Sequence, residues 1–444
     1  MTATSYRPAT TDTPPRKRAR ILLWGFVAAN LLTVEILFVT DGAGKHPLLT
    51  IAKFFGLHAA LAMMLQLLLV ARVPWLDRRI GMDRLTVWHR WLGFALLWTV
   101  VLHASFVVLG YATLYGNPLV GTFFDLAAVP ASLLGVLGAT IVVAIAAVSI
   151  RAIRRRLPYE WWHGIHLTLY LALVLALAHQ FLEGTTFTST TWSTLYWWGM
   201  WGLVLTALVA FRVLVPLWRN ARHRFRVAAV VPESDHVASI YVTGRDLHRL
   251  PARAGQFCLW RFPDHNGWWR ANPFSLSAAP DGRFLRLTVK AVGDTSARLR
   301  HVPVGSRVFV EGPYGAFTTT QRVRGSTLLI AGGVGITPIR ALLEELTGPV
   351  TVLYRVRTPA DAVLLDEVQA LTDARGGQLH LLTGRTASHP SPFAPQRLAA
   401  LVPDVGERDV YVCGPPAMTE AVLRSLRALG VPRAHIHAER FRLA

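Results

Sequence analysis

The stretch YEWWHGIHLTLYLALVLALAH, residues 159–179, is apolar over most of its length and nevertheless contains three histidines. The stretch DRLTVWHRWLGFALLWTVVLH, residues 83–103, has the same character and contains two. About 20 consecutive apolar residues are enough for a helix to cross the roughly 30 Å hydrocarbon core of a bilayer. These two stretches and four similar ones therefore predict a membrane bundle of six helices. The predicted spans are Ile21–Thr40, Leu48–Val70, Leu85–Gly110, Leu126–Ile150, Trp161–Phe181 and Leu195–Leu217.

Four of these histidines have a spacing that suits paired ligands, and an ionisable group inside a span is a functional candidate. His89 and His103 are 14 residues apart, which is about 21 Å along a helix axis. His166 and His179 are 13 residues apart, about 19.5 Å. Two facing helices would then offer histidines at two matching depths. Because imidazole is a common axial ligand of haem iron, the pattern predicts two stacked haems, the inner one between His89 and His166 and the outer one between His103 and His179.

The histidine pattern also has alternative interpretations. A 13-residue interval ends about 140° from its starting face on a straight helix, so a kink or π-bulge has to absorb the difference. Each histidine can instead donate a hydrogen bond to a neighbouring carbonyl or hydroxyl group. His163 lies one turn before His166 and is an alternative ligand or a partner for a haem propionate. Arg84 and Arg90 are further candidate partners for the propionates. His58, in the second span, is expected to be an ordinary core residue.

Basic residues are unevenly distributed among the connections between the spans. They cluster before the first span, in the second and fourth connections and after the sixth span, whereas the other three connections contain a single Lys45 and no arginine. The positive-inside rule then places both termini in the cytoplasm, with the spans in a bacterial inner membrane. A cleaved signal peptide is the alternative for the first span, but that span is long for one and no A-x-A site follows before Asp41. Residues 1–20 are expected to be a disordered arm.

The overall composition fits a protein that is partly in lipid. Apolar residues make up 52% of the chain and charged residues 16%, and the apolar excess precedes residue 220. The net charge of +20 arises in large part at the ends of apolar segments, which argues against nucleic-acid binding. Cys258 and Cys413 have no CxxC partner, so neither a disulfide framework nor a thiolate metal site is predicted.

Short alternating segments separated by turn residues follow from about residue 222 and predict a small antiparallel barrel. Within it, RANPFSLSAAP at residues 270–280 places Phe274 beside Ser275, a pairing that suits a flat flavin ring. KAVGDTS at residues 290–296 combines a glycine turn, hydroxyl groups and an expected helix N-terminus, which can cradle a pyrophosphate. These features suit a flavin that carries a pyrophosphate, although NPFSLS alone would also suit a generic edge strand.

The last part of the chain predicts an α/β nucleotide-binding domain. STLLIAGGVGITPIRALLEEL, residues 326–346, is a strand, a glycine-rich turn and a helix, the arrangement that binds phosphate at a helix N-terminus. The next strand ends in Arg355 and Arg357 without an acidic residue to hold a ribose 2′-OH. Arg355 and Arg385 are therefore expected to bind the 2′-phosphate of NADPH, which is favoured over NADH. Ordinary solvated arginines are the alternative.

These motifs, in this order, resemble one known family over nearly the whole chain from about residue 20. LHAALAMMLQLLLVAR, residues 57–72, and the two histidine-containing stretches look like the ferric reductase transmembrane domain of NADPH oxidases and metalloreductases, in which four histidines bind two b-type haems. RANPFSLSAAP, GGVGITP and YVCGPPAM, residues 411–418, resemble the FAD and nucleotide domains of ferredoxin reductases. The implied fold is a membrane all-α six-helix bundle, a small antiparallel β-barrel and an α/β domain. The expected boundaries are 1–20 for the arm, 21–218 for the haem-binding bundle, 222–322 for the FAD barrel and 325–444 for the NAD(P)H domain.

The resemblance also implies roles for individual residues. Ser275 would hold the flavin ring with Phe274, Cys413 would lie at the hydride-transfer point, and Phe441 would stack on the flavin and swing away for the nicotinamide. Asn272 departs from the family, which usually has Arg or His there, and Arg270 is expected to supply the missing charge. The expected cofactor-binding residues are Arg270, Asn272, Pro273, Phe274, Ser275, Lys290, Gly293, Thr295, Ser296, Gly332, Gly333, Gly335, Thr337, Pro338, Arg355, Arg385, Cys413, Gly414, Pro415 and Phe441.

The implied activity is an NAD(P)H-dependent transmembrane oxidoreductase that passes electrons through FAD and two haems to an acceptor on the outer face. A ferric chelate and dioxygen are both candidates. The outer connections contain no cluster of carboxylates or histidines for ferric iron, which slightly favours dioxygen. Two alternatives are an electron-input subunit that serves a partner protein or a quinone, and a haem or redox sensor with slow turnover.

Overall fold

The computed structural model describes residues 15–42, 45–150, 154, 156–384 and 391–439. The chain forms two compact units. Residues 21–72 and 85–210 form the first, which we call the helical unit. Residues 73–84 and 211–444 belong to the second, which contains the described strands and which we call the sheet unit.

Long apolar helices occupy the N-terminal half. Six stretches within them are long and apolar enough to cross a membrane, as the sequence predicted: Lys17–Thr40, Pro47–Val70, Met82–Tyr115, Pro130–Val148, Glu160–Glu183 and Thr191–His223. The helices are α1 Pro15–Thr40, α2 Pro47–Val70, α3 Pro74–Ile80, α4 Met82–Tyr115, α5 Leu119–Ala127, α6 Pro130–Val148, α7 Tyr159–Leu167, α8 Leu169–Glu183, α9 Thr191–Val209 and α10 Val215–His223.

The surface of these helices is apolar where it faces outward. Trp91 and Trp98 on α4 are 65% and 63% exposed, and Phe124 on α5 is 65% exposed. Burying an apolar side chain of this size is worth about 1.5–3 kcal/mol relative to water. The outward-facing residues are therefore suited to lipid, while Trp197 and Trp201 on α9 fill the interior of the unit.

All six stretches differ somewhat from their predicted bounds, and the fourth and fifth show the reasons most clearly. The fourth begins at Pro130 instead of Leu126, because α5 is a separate helix that ends before this proline. Proline fixes its own φ and lacks an N–H, so it starts a helix more readily than it continues one. The fifth is divided at Thr168, where α7 ends and α8 begins. Its side chain donates to the carbonyl of Ile165 at 2.8 Å.

Two three-stranded antiparallel sheets begin the sheet unit. Their orders are β1-β2-β5 and β4-β3-β6, and the isolated bridges Leu276–Leu287 and Arg226–Arg307 join one sheet to the other at both edges. Apolar side chains of both sheets form one core. The strands are β1 Arg226–Ser234, β2 Val237–Thr243, β3 Phe257–Arg261, β4 Asn272–Ser275, β5 Phe284–Lys290 and β6 Phe309–Tyr314, with the short helices α11 Pro263–Asn266 and α12 Asp294–Leu299.

A five-stranded parallel sheet follows, with the order β11-β10-β7-β8-β9. Its central strands β10, β7 and β8 are almost fully buried because helices cover both faces, as is usual for parallel sheets, whereas the edge strands β9 and β11 are more exposed. The predicted fold class, a helical membrane bundle followed by an antiparallel β domain and an α/β domain, is thereby confirmed. The elements are β7 Thr327–Gly332, α13 Ile336–Glu345, β8 Val350–Arg355, α14 Leu365–Asp373, β9 Gln378–Leu382, α15 Pro395–Leu401, β10 Asp409–Cys413, α16 Pro416–Ala428 and β11 Ile436–Glu439.

Candidate functional site

The outer pair of predicted ligands, His103 on α4 and His179 on α8, face each other with ring centres 6.3 Å apart. The Nδ1 atom of His103 lies 2.9 Å from the carbonyl oxygen of Ala52, and that of His179 lies 2.9 Å from the carbonyl oxygen of Ala131. A carbonyl oxygen can only accept, so each Nδ1 carries the hydrogen and each Nε2 keeps its lone pair. This is the tautomer that a metal-binding histidine needs.

Two glycines make room for these rings. A Cβ atom on Gly56 would stand 2.8 Å from Nδ1 of the first outer histidine, and one on Gly135 would stand 2.9 Å from Nδ1 of the second. Each glycine lies four residues after the alanine whose carbonyl accepts the hydrogen bond, Ala52 on α2 and Ala131 on α6. The same alanine-to-glycine spacing thus recurs on two different helices. Sequence reasoning missed it because small residues are common in membrane spans.

The inner pair is held less symmetrically. The rings of His89 and His166 lie 6.2 Å apart, and Nδ1 of His89 contacts the carbonyl oxygen of Gln66 at 3.3 Å. His166 stacks on Trp162 at 5.1 Å, and its buried Nδ1 has no hydrogen-bond partner among the described residues. The ring contact across the helices is therefore made by His89 and His166.

The spacing of both pairs fits a single metal atom between two imidazoles. Two metal–nitrogen bonds of about 2.0–2.1 Å, together with the half-width of each ring, add up to about 6 Å between ring centres. Within the described ranges no group of three or more His, Cys, Asp or Glu could hold a metal ion. The four histidines form two pairs, each across two helices.

One intramembrane histidine has a partner that the sequence did not indicate. Nδ1 of His58 lies 2.8 Å from the carbonyl oxygen of Phe54, and Nε2 lies 3.2 Å from a carboxylate oxygen of Glu35 on α1. Since the carbonyl only accepts, Nδ1 carries a hydrogen, and the contact with Glu35 holds another proton. The signal was Glu35 itself, an acidic residue inside an apolar span.

The predicted flavin motif lies on β4. Ser275 is 5% exposed, and its hydroxyl group has no hydrogen-bond partner among the described residues. Leaving a buried hydroxyl group without a partner costs about 1–3 kcal/mol, so a ligand that completes it fits this position. Phe274 is half-buried beside it, and its carbonyl accepts from Nε1 of Trp260 at 3.1 Å. The amide of Asn272 donates to the carbonyls of Trp260 and Arg270, both at 3.3 Å, so the strand itself engages it.

The remaining predicted flavin-binding residues lie on β4 and after β5. Pro273 is exposed on β4, and Lys290 is exposed at the end of β5. Gly293 caps α12, in whose first turn Thr295 lies. The hydroxyl group of Ser296 accepts from the backbone N–H groups of residues 292 and 293 at 3.0 and 3.1 Å. This hydroxyl group therefore shapes the turn.

Two glycine turns pack backbone against backbone where β7 and β10 end. A Cβ atom on Gly335 would overlap the carbonyl group of Cys413, and one on Gly414 would lie 3.1 Å from Cα of Gly332. Gly333 has a φ of +54°, in the left-handed region that favours glycine. Because β7 and β10 are adjacent and parallel, their carboxyl ends meet at one edge of the sheet, the usual place for a ligand in such folds.

The side chains around these turns are buried or hydrogen-bonded to the backbone of the turns. Cys413 is fully buried, and burial raises the pKa of its thiol, which suits a positional role and not a nucleophilic one. The hydroxyl group of Thr337 donates to the carbonyl of Val334 at 3.0 Å, and Pro338 is buried in the first turn of α13. Pro415 caps α16.

The predicted 2′-phosphate residues are only partly described. Arg355 ends β8, and its guanidinium group donates to the carbonyl of Thr383, the residue after the neighbouring strand β9. Arg385 and Phe441, for which we predicted roles, lie outside the described residues.

An ion pair between a buried arginine of β5 and a partly exposed glutamate of α14 joins the antiparallel sheets to the nucleotide half. Arg286 on β5 is 3% exposed and donates to the carbonyl of Ser277 at 2.7 Å and to both carboxylate oxygens of Glu367 at 3.0 Å. Burial opposes the charge of Arg286, but the hydrogen bonds and charge of Glu367 outweigh it and raise its pKa. For Glu367, burial acts to raise the pKa, and Arg286 outweighs that and lowers it.

The same carboxylate also binds the helix that follows the phosphate turn. Arg340 on α13 contacts Glu367 at 2.7 Å and Glu344 at 2.6 Å, and Glu344 in turn accepts from the backbone N–H of Ala279. The segment just after the flavin strand is therefore fixed to the helix that starts at the glycine turn. The signal in the sequence was Arg286 itself, a charged residue inside the apolar strand FLRLTVK.

Three family profiles match consecutive parts of the chain. The profile described as ferric reductase like transmembrane component matches residues 55–177. The profile of an FAD-binding domain matches residues 222–318, and that of an oxidoreductase NAD-binding domain matches residues 329–424.

Curated relatives share only part of this arrangement. The ferredoxin reductase component of 3-ketosteroid-9-alpha-monooxygenase from Mycobacterium tuberculosis is 32% identical over 233 residues, which cover 49% of this chain and 64% of that protein. A flavohemoprotein from Chromobacterium violaceum is 32% identical over 244 residues, covering 49% of this chain and 60% of that protein. The chain thus spans less than two thirds of the length of these relatives.

Among solved structures, the ferredoxin reductase in carbazole 1,9a-dioxygenase is 29% identical, with a TM-score of 0.41. The match covers 50% of this chain and 69% of that protein's chain. The order of the three profiles, together with six apolar helices and two nucleotide-type domains, decides the family architecture. The chain has the domain architecture of the ferric reductase and NADPH oxidase superfamily: a ferric reductase like transmembrane component, then an FAD-binding domain and an oxidoreductase NAD-binding domain.

Proposed function

We propose that this protein carries electrons from cytoplasmic NADPH to an acceptor on the outer face of a bacterial inner membrane. The observation that carries the proposal is the arrangement of four histidines in two facing pairs, 6.2 and 6.3 Å between ring centres. When bound, FAD would split the two electrons of a hydride into single-electron steps and two b-type haems would relay them across the bilayer.

The protein's own residues position these groups. Nε2 atoms of His89 and His166 would hold the inner haem, and those of His103 and His179 the outer haem, with the backbone carbonyls that accept from Nδ1 fixing the outer rings. The buried hydroxyl group of Ser275 would donate to the flavin ring. This hydroxyl group is buried and has no hydrogen-bond partner among the described residues.

The glycine turns at the ends of β7 and β10 would bind the dinucleotide. Backbone N–H groups at the start of α13 would face a phosphate, and the turn with Cys413, Gly414 and Pro415 would lie against the nicotinamide. Phe441 would cover the flavin when nicotinamide is absent. Arg355 and Arg385 would select the 2′-phosphate, since β8 ends without an acidic residue.

We also propose the boundaries 21–218 for the haem-binding bundle, 222–322 for the FAD domain and 325–444 for the NADPH domain, with both termini in the cytoplasm. The concentration of arginines in alternate connections supports this orientation. A reporter enzyme that is active only outside the cytoplasm, fused after residue 444, tests it. Activity of that fusion would place the C-terminus outside the cytoplasm and would contradict the proposed direction of electron flow.

The deciding experiment is turnover of the purified protein with NADPH and either ferric citrate or dioxygen, with superoxide trapped separately. Two haems per chain and the split α-band of bis-imidazole haem are expected. In His103→Ala and His179→Ala variants, haem content should fall by half, and transfer to either acceptor should stop. Unchanged haem content in both variants would refute the ligand assignment.

A second candidate is an electron-input subunit that serves a partner protein or a quinone. The relatives' names favour it, since two of them are reductase components of a monooxygenase and of a naphthalene 1,2-dioxygenase system. Negligible reduction of ferric citrate and dioxygen, with NADPH oxidation restored by a membrane extract, would support this candidate.

A further inference from the structure

A basic cavity lies where the sixth span joins the first sheet. It encloses about 620 Å³, and four of its lining residues are arginines: Arg224, Arg226, Arg245 and Arg307. No carboxylate is among the residues that line it. Four positive charges around one cavity repel each other, so the arrangement favours an anion that neutralises them.

The backbone around the cavity is fixed by short hydrogen bonds. Arg224 ends α10 in the left-handed conformation, with a φ of 49°. The buried His223 then binds the next strand connection twice, since its Nδ1 lies 2.7 Å from the carbonyl oxygen of Arg245 and its own carbonyl accepts from the N–H of Arg245 at 2.6 Å. Arg226 bridges to Arg307 across the edge between β1 and β6. The backbone that carries these arginines is therefore fixed by the fold.

The guanidinium groups remain available for a ligand. Arg226 donates one hydrogen bond to the carbonyl of Gly305 at 2.8 Å. The other three, Arg224, Arg245 and Arg307, are exposed and make no side-chain hydrogen bond or ion pair with the described residues. The nearby carboxylate of Asp246 faces Arg222 at 3.4 Å instead. Planar guanidinium groups match the oxygen pairs of a phosphate, to which they bind bidentately.

The neighbouring helix surface indicates that the phosphate belongs to a lipid. The stretch that is long and apolar enough to cross a membrane ends at His223, beside the cavity. Just before it, Leu214, Leu217 and Trp218 are 57%, 53% and 58% exposed, and Arg222 lies over the Trp218 ring at 5.6 Å. Tryptophan and arginine side by side are typical of the membrane interface, and the leucines provide an apolar track for acyl chains.

We propose that this cavity binds the headgroup of an anionic phospholipid. The arginines receive the phosphate, and the acyl chains follow the apolar side of α10. The site is separate from the flavin motif, because β1 and β6 meet at the sheet edge opposite to the one where β4 meets β5. A bound lipid would fix the junction between the last span and the first strand, through which that span continues into the FAD domain.

The test compares the full-length protein in phosphatidylcholine vesicles with and without about 30% phosphatidylglycerol. Native mass spectrometry counts retained phosphatidylglycerol, and thermal unfolding measures stabilisation. We expect the wild type to retain the lipid and to unfold at a higher temperature in its presence. Since each arginine near the surface contributes about 1 kcal/mol, the Arg245→Gln/Arg307→Gln variant should bind phosphatidylglycerol about 30-fold more weakly.

The matched control is Arg424→Gln/Arg427→Gln, which removes the same charge from exposed positions on α16. Equal loss of lipid binding in both variants would overturn the proposal, because the effect would then come from net charge. Stabilisation of the wild type by inorganic phosphate to the same extent would also overturn it, in favour of a free anion. Reduction of ferricyanide by NADPH checks that each variant is folded. If the double variant is not folded, the single variant Arg245→Gln is used in its place.

Discussion

The glycines behind the outer histidines allow a sharp test of the proposed haem site. Replacing Gly56 with alanine adds one methyl group to α2 and nothing else. The added carbon would stand 2.8 Å from Nδ1 of His103, where ordinary contact begins at 3.4 Å. Gly135→Ala is the equivalent change behind His179, at 2.9 Å.

The size of the effect follows from these distances. The His103 ring has to move by about 0.6 Å, the difference between the two distances. If it moves directly away from α2, its 2.9 Å hydrogen bond to the carbonyl of Ala52 becomes too long to count as one. Losing that bond costs about 0.5–1.5 kcal/mol, and overpacking adds about 1–3 kcal/mol. Loss of an outer-shell partner of a metal-binding histidine typically lowers affinity about 10–100-fold.

The assay measures haem per chain and the reduction midpoints of the purified variants. Under limiting haem supply, Gly56→Ala and Gly135→Ala should each retain the inner haem and lose part of the outer one. Gly202→Ala on α9 is the matched control, because nothing lies within 4 Å of the added carbon. It should keep two haems with unchanged midpoints.

Full haem content and wild-type midpoints in both Gly56→Ala and Gly135→Ala would refute the reasoning. The outer rings would then not be held by the carbonyls that face them. Absence of haem from the wild type itself would be a different result, since it would remove the proposed function and not just this support for it.

Four further predictions concern the sheet unit. Glu367→Gln should lower the free energy of unfolding by about 1–2 kcal/mol in chemical denaturation, which is less than for a fully buried pair because Glu367 is 37% exposed. The same variant should slow flavin reduction by NADPH. The control Glu420→Gln, at an exposed position, should change neither quantity. Ser275→Ala should retain FAD and slow flavin reduction about 2–10-fold in stopped flow, the effect of one hydrogen bond; an unchanged rate would exclude contact with the flavin. Arg355→Ala should reduce kcat/KM for NADPH about 10–100-fold and leave that for NADH unchanged, and equal losses would remove its role in selectivity. Burial acts to raise the pKa of Asp409, but its hydrogen bonds outweigh that and lower the pKa, so the ionised carboxylate stabilises the fold above about pH 3.9 and loses this effect as the pH falls through the lowered pKa. The free energy of unfolding of Asp409→Asn should therefore depend less on pH below about 4 than that of the wild type. Identical acid profiles would contradict this.

The sequence was sufficient to predict the membrane helices and their histidines. Long apolar segments leave a helix as the only regular structure that satisfies its own backbone in lipid. The charge of an imidazole group makes each intramembrane histidine conspicuous. The glycine turns were equally readable, because a backbone that approaches another backbone tolerates no Cβ atom.

The helix boundaries were less predictable. The segment around Phe124 is apolar like the spans, so the sequence did not separate α5 from the fourth span, which Pro130 begins. The interval between His166 and His179 called for an irregularity without indicating its place. In the structure it is Thr168, whose hydroxyl group bonds back to the preceding turn and whose position among apolar residues gave no distinct signal.

Contacts between distant segments could not be predicted at all. The pairing of Arg286 with Glu367 joins residues 81 positions apart, and nothing in either local sequence specifies the other. Asn272 is a comparable case. We identified it as a departure in the flavin motif, but only the fold reveals that its amide donates to backbone carbonyls of β3 and of the segment just before β4.

The interruption at Thr168 has a consequence for how such proteins can be altered. Along a continuous helix, an inserted or deleted residue rotates everything beyond it by about 100°. Here α7 carries His166 and α8 carries His179, with a break between them. A change of length in α7 keeps the register of α8 only if Thr168, whose φ of −66° and ψ of −10° are those of a helix, absorbs the rotation.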